Sequence, residues 1–146
     1  MKEIIIEDFS NLRAEIKINK KRTILLARFK GVYRKGSQGN GDGLFMLSKI
    51  AAVYFMFESI SALVLDLTSL TYEWGNTIDK SLTFFDEIGR DESEMEKKVV
   101  IVPSSSNKAA IVGLLSSMGN KSAIIVNGID EALAVAENEA SKYLDL

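Results

Sequence analysis

Three short apolar runs, residues 62–67, 99–102 and 122–126, recur along the chain with helix-length segments between them. Runs of this length that are apolar throughout are strands buried on both faces. Such strands pair in parallel, and parallel pairing needs a crossover, usually a helix, between one strand and the next. The pattern excludes a helical bundle and an all-antiparallel sandwich.

The N-terminal part has a different period. Leu12, Ala14, Ile16 and Ile18 alternate with Arg13, Glu15 and Lys17, which marks a strand with one wet face. Residues 19–22 are polar and read as a turn, and residues 23–29 resume the strand and end at Gly31. Together they predict a β-hairpin. The glycine-rich stretch 36–43 reads as a loop, with Asp42 as N-cap of a helix over 44–58.

Helical spacing of Ile78, Leu82, Phe85 and Ile88 or Gly89 predicts a second helix over 76–88. Residues 90–98 read as a charged surface loop, and Pro103 ends the strand before it. Ser104 to Ser106 suit the cap of a helix from Asn107 to Met118, stopped by Gly119. Asp130 caps a final helix through Ala140. The order is β-β-α-β-α-β-α-β-α. It predicts one α/β domain over residues 1–146, with a mixed, mostly parallel central sheet, an N-terminal hairpin and about four helices.

Composition narrows the chemistry. The 146 residues include no histidine and no cysteine. Ser-His-Asp and Cys-His mechanisms are therefore impossible within the chain. Zinc, copper, haem and iron–sulfur centres lose their usual ligands, which leaves only oxygen-ligated cations. No motif calls for a cofactor or a metal. The expectation is a protein that is not an enzyme.

Charge is uneven. Residues 1–35 hold 10 basic and 4 acidic side chains, although the whole chain has a net charge of −2. We read the excess as the solvent-facing positions of the hairpin rather than a nucleic-acid surface, because no aromatic residues interleave to stack bases. The apolar run Ile4 to Ile6 is too short for a secretory signal, which needs roughly 7–15 apolar residues. Residues 44–57 fall short of the ~20 a membrane span requires. The absence of cysteine fits a cytoplasmic location.

Two passages resemble the STAS family, the anti-sigma-factor antagonists and related domains of sulfate transporters. One is Ser61-Ala-Leu-Val-Leu-Asp-Leu-Thr-Ser-Leu-Thr-Tyr72, similar to the family's central strand and the approach to its next helix. The other runs from Lys98-Val-Val-Ile-Val102 through Met118-Gly119 to Ile129-Asp-Glu-Ala-Leu133, similar to the family's closing strand-helix-strand-helix. The similarity covers residues 23–140. It implies a bacterial regulatory module that binds an anti-sigma-type kinase. Phosphorylatable members carry a serine in the loop after the central strand. Here that loop is Tyr72-Glu73-Trp74-Gly75-Asn76-Thr77, with no serine and with Thr77 as the nearest hydroxyl.

Tyr72, Glu73, Trp74, Gly75, Asn76 and Thr77 form the candidate partner surface. They hold the only tryptophan and follow a parallel strand, where α/β sheets tend to bind ligands. The competing reading packs Trp74 inside and makes Asn76 a simple cap. Asp66, inside an apolar strand, is either a ligand-binding carboxylate or an acceptor for a neighbouring loop. Arg34, Lys35 and Gly41 could cradle an anion before a helix, or belong to a plain surface loop. Ser104 and Ser106 could add hydroxyls to the same edge, or cap a helix.

Three functions stay open at this point. The first is a non-enzymatic interaction module. The second is a small-ligand protein or enzyme using Asp66 and Glu73. The third is a structural or homodimeric protein.

Overall fold

Asn19 closes the N-terminal hairpin. Its side chain accepts bonds from the amides of Thr23 and Ile24 at 2.8 and 2.9 Å. These bonds hold Arg22 in the left-handed region at φ 57°, unusual for a residue with a Cβ. The computed structural model describes residues 1–3, 10–87, 96–119 and 122–144. Strand β1 (Arg13–Ile18) pairs antiparallel with β2 (Ile24–Val32), as the alternation predicts.

Beyond the hairpin come a 3-10 turn (Gly36–Gln38) and helix α1 (Gly39–Tyr54). Strand β3 (Ala62–Asp66) follows, then the two-residue β4 (Leu70–Thr71). Two short helices, α2 (Asp79–Leu82) and α3 (Phe84–Glu87), lead to β5 (Lys98–Val102). Helix α4 (Lys108–Ser117), β6 (Ala123–Ile125) and α5 (Ile129–Leu144) complete the chain. The sheet order is β1-β2-β3-β5-β6, parallel after the first pair, with β4 also paired to β2. The fold is the predicted mixed α/β class.

Helices α1 to α4 pack on one face, where Phe29, Leu63, Leu65 and Ile101 of the sheet meet Met46, Ile50, Leu82 and Ile111. The other face holds α5. Its Ala132, Ala136 and Ala140 lie against Ile24, Val64 and Val100. With little side chain to hold it off, α5 sits close to the sheet.

The structure departs from several expectations, among them Asp130, which lies within the first turn of α5 rather than capping it. The glycine-rich stretch is not a loop, because α1 begins at Gly39. Asp42 is not an N-cap but a buried residue of the first helical turn. The helix expected over 76–88 is broken at Thr83, whose hydroxyl bonds back to the Asp79 carbonyl at 2.9 Å. Ile4 to Ile6, Ile88, Gly89 and residues 90–95 of the charged loop lie outside the described residues.

The β3–β4 kink comes from local bonding. Asp66 accepts from the Thr68 amide at 3.1 Å and from its hydroxyl at 2.6 Å. The Asn107 side chain donates from Nδ2 to the carbonyls of Leu67 and Leu70 at 3.0 and 2.8 Å. The chain thus leaves β3 at Asp66 and pairs with β2 again from Leu70.

Candidate functional site

Residues 72–77 leave β4 and cross the first turn of α1. Tyr72 is 3% exposed, and its hydroxyl donates to the Gly75 carbonyl. Gly75 sits at φ 132°, a conformation that residues with a Cβ rarely adopt. Thr77 donates from Oγ1 to the Gly39 carbonyl at 2.8 Å. Tyr33 Oη lies 2.5 Å from the same oxygen and donates to it, because the Thr77 proton is already committed to Gly39. The Tyr33 and Tyr72 rings meet edge to face at 5.4 Å. Burial pushes the Tyr33 hydroxyl up to about 12, with Asp42, Tyr72 and Asp79 adding to the rise and the Thr77 bond opposing it. Burial also raises Tyr72, with a smaller push from Asp79.

Glycines make this packing possible. A Cβ on Gly43 would lie 2.5 Å from the Thr77 carbonyl oxygen and 2.7 Å from Tyr33 Oη. A Cβ on Gly39 would lie 2.5 Å from the Arg34 carbonyl oxygen. Their four-residue spacing puts both on one helical face, where the loop rests. The contact outweighs the low helix propensity of glycine, about 1 kcal/mol per residue.

The loop is therefore anchored at both ends and turned outward in its middle. Trp74 is 54% exposed. Glu73 forms an ion pair with Lys35. Beside the loop, between α1 and α2, lies a groove of about 350 Å³ lined by Gly43, Leu44, Leu47, Asn76, Thr77 and Lys80, among others. Leu44 is 55% exposed at its edge. The lining has an apolar side from α1 and a polar side from the loop and α2. The periodicity had marked Leu44 and Leu47 only as helix residues. Gly39 and Gly43, which let the loop pack this closely, lie in the stretch whose composition predicts a loop.

Other candidates are occupied by structural bonds. Arg34 donates from Nε to Asp42 at 3.1 Å, and its amide reaches the same carboxylate at 2.8 Å. Ser10 donates to Asp42 at 2.6 Å. Burial would raise the Asp42 carboxyl, but the Arg34 and Ser10 bonds outweigh it and leave it below its ordinary value. Arg34 and Lys35 thus both face acids, and Gly41 lies within α1. This geometry differs from an anion cradle.

Asp66 is buried and accepts from Arg28 Nε at 3.0 Å as well as from Thr68. Ser104 and Asn107 exchange bonds: the Ser104 amide donates to Asn107 Oδ1 at 2.8 Å, and the Asn107 amide to Ser104 Oγ at 3.1 Å. This is the reciprocal pattern of a capping box. Ser106 Oγ lies 2.9 Å from Ser104 Oγ. Neither serine lines the groove beside Trp74.

No group of three or more acidic side chains suited to a metal ion occurs among the described residues. No helix among them is long and apolar enough to cross a membrane. Comparison of the sequence with protein-family models and with curated proteins finds no match in either.

Proposed function

We propose that the protein is a non-enzymatic, cytoplasmic interaction module whose partner docks on Trp74 and the adjoining groove. One observation carries this reading: a tryptophan more than half exposed stands on a loop fixed by partly buried hydroxyl bonds. Exposed aromatic residues on rigid supports lose little entropy on binding and are frequent interface hot spots. The STAS resemblance supplies the partner class, an anti-sigma-type kinase. With Thr77 bonded on both sides, the loop offers a fixed surface rather than a free hydroxyl.

The test is recovery of partner from native cells by the tagged full chain, its Trp74→Ala and Asn76→Ala variants, and a Lys142→Ala control. Loss in the first two variants alone is the expected result. Equal recovery by all four proteins removes the surface from consideration.

A second reading places a small ligand in the groove, whose volume is at the low end for such sites, roughly 300–1,000 Å³. A thermal-shift screen with nucleotides, organic anions and divalent ions addresses it. A flat response across the panel counts against it.

A further inference from the structure

The two faces of the sheet are covered unequally. Strands lie roughly 4.8 Å apart and a helix is about 10 Å wide, so one helix covers about two strands. Helix α5 packs mainly over β3 and β5, on Val64 and Val100. Among the described residues no element covers β1 and β2 on that face, which leaves one helix-wide slot beside α5. Register places Arg13, Glu15 and Lys17 of β1 opposite Lys30, Arg28 and Leu26 of β2, on the side where Ile24 meets α5.

The slot has a definite chemistry. Leu26 forms part of its floor, and Ile129, 36% exposed, forms the α5 wall at one end. Two cavities mark its ends. One, of about 160 Å³, is lined by Glu15, Lys17, Leu26, Arg28, Asp66 and Ile129. The other, of about 320 Å³, involves Lys20, Lys21, Thr23, Ile24, Glu137 and Ser141. Arg28 is held between Glu15 at 3.7 Å and Asp66 at 3.0 Å, and Lys30 reaches Glu15 at 3.1 Å. Arg13, Lys17, Lys20 and Lys21 are exposed and have no ion-pair partner among the described residues. The outer wall is thus basic, and the α5 wall is apolar at Ile129 and acidic at Glu137.

We propose that this slot receives an acidic amphipathic helix of a partner protein. The helix lies alongside α5, its apolar stripe on Leu26 and Ile129 and its acidic flank on Lys17, Lys20 and Lys21. The six paired residues of β1 and β2 span roughly 20 Å, the length of a helix of about 13 residues, so a 20-residue helix fills the slot and overhangs it. This surface is on the opposite face of the sheet from α1 and the Trp74 groove, and it stands whether or not that groove binds a partner.

The experiment uses the full chain and synthetic 20-residue helical peptides with a leucine stripe. One peptide carries glutamates on its flank and one carries lysines. A 20-nucleotide single-stranded RNA is the polyanion control. Binding is read by fluorescence anisotropy and located by amide chemical shifts. The acidic peptide is expected to bind, to shift the amides of Leu26, Arg28 and Ile129, and to weaken as salt rises. Lys17→Glu/Lys21→Glu should weaken it at least tenfold, and Trp74→Ala should leave it unchanged. Both substituted lysines are exposed, so the variant folds, and circular dichroism checks this. Four outcomes overturn the proposal: no binding of the acidic peptide, equal binding of the basic one, tighter binding of the RNA, or a dimer in the sedimentation profile that the double variant abolishes.

Discussion

Tyr33 and Thr77, 44 residues apart in sequence, share a hydrogen bond of 2.5 Å between their side-chain oxygens. Thr77 passes the chain of bonds on to the Gly39 carbonyl at 2.8 Å. One threonine hydroxyl therefore joins the end of β2, the start of α1 and the loop that displays Trp74.

Removing that hydroxyl should cost more than removing its donor. Thr77→Val leaves both the Tyr33 hydroxyl and the Gly39 carbonyl without this partner, and should destabilise by about 2–3 kcal/mol. Tyr33→Phe removes one donor and keeps the Thr77–Gly39 bond, so about 1 kcal/mol is expected. Urea titration of both variants checks the order. Equal losses would show that Thr77 does not act as the relay.

Ionisation of Tyr33 gives the alkaline counterpart. Its folded value of about 12 lies above the ordinary value of 10. Above pH 10 the unfolded chain ionises first, so stability falls as pH rises toward 12. Absorbance at ~295 nm should show a late-titrating tyrosine that Tyr33→Phe removes.

Two glycine substitutions should have opposite signs. Gly43→Ala drives a methyl group into the Thr77 carbonyl and the Tyr33 hydroxyl. Overpacking of this kind costs typically 1–3 kcal/mol. Gly113→Ala places its methyl where no atom lies within 4 Å, on exposed α4. The gain in helix propensity there is roughly 0.5–1 kcal/mol. Thermal melts of the two variants should shift in opposite directions.

These glycines also show where the sequence was and was not legible. The strands could be read because period two and apolar runs are local patterns, and β1, β2, β3, β5 and β6 appear where those patterns lie. The helical state of Gly39 and Gly43 depends on contacts with Tyr33 and Thr77, far away in the chain. Local propensity therefore pointed to a loop. The same cause hid β4, whose two residues form a strand only because Asn107 and Asp66 kink the chain back toward β2. Of the site, residues 72–77 were legible from their composition. The groove was not, because half of it comes from α1.

Acid should weaken the protein through Asp42. Its folded carboxyl sits below the ordinary value, so its contribution is complete above roughly pH 4, the unfolded value. It is lost as pH falls through the folded value. Asp42→Asn should cost about 2 kcal/mol at neutral pH and flatten the loss of stability as pH falls below about 4. Denaturant midpoints across that range give the comparison. An unchanged slope would assign the acid sensitivity to other carboxylates.

Asn107→Ala removes two donors from buried carbonyls and the reciprocal cap with Ser104. A loss of about 2–4 kcal/mol is expected. Amide exchange should rise at Gly31 and Tyr33, whose amides donate to the Ser69 and Thr71 carbonyls beyond the kink. Exchange confined to α4 would show that Asn107 is only a cap.

The strand order β1-β2-β3-β5-β6 follows the order of synthesis, with β4 set aside beside β2. Each principal strand joins an edge that its predecessor has just created, and none must be inserted between two neighbours already paired. An emerging nascent chain can therefore lay down its sheet one edge at a time, keeping the loops it must close short. The cover on the second face arrives after every strand of the sheet, because α5 follows all of them along the chain.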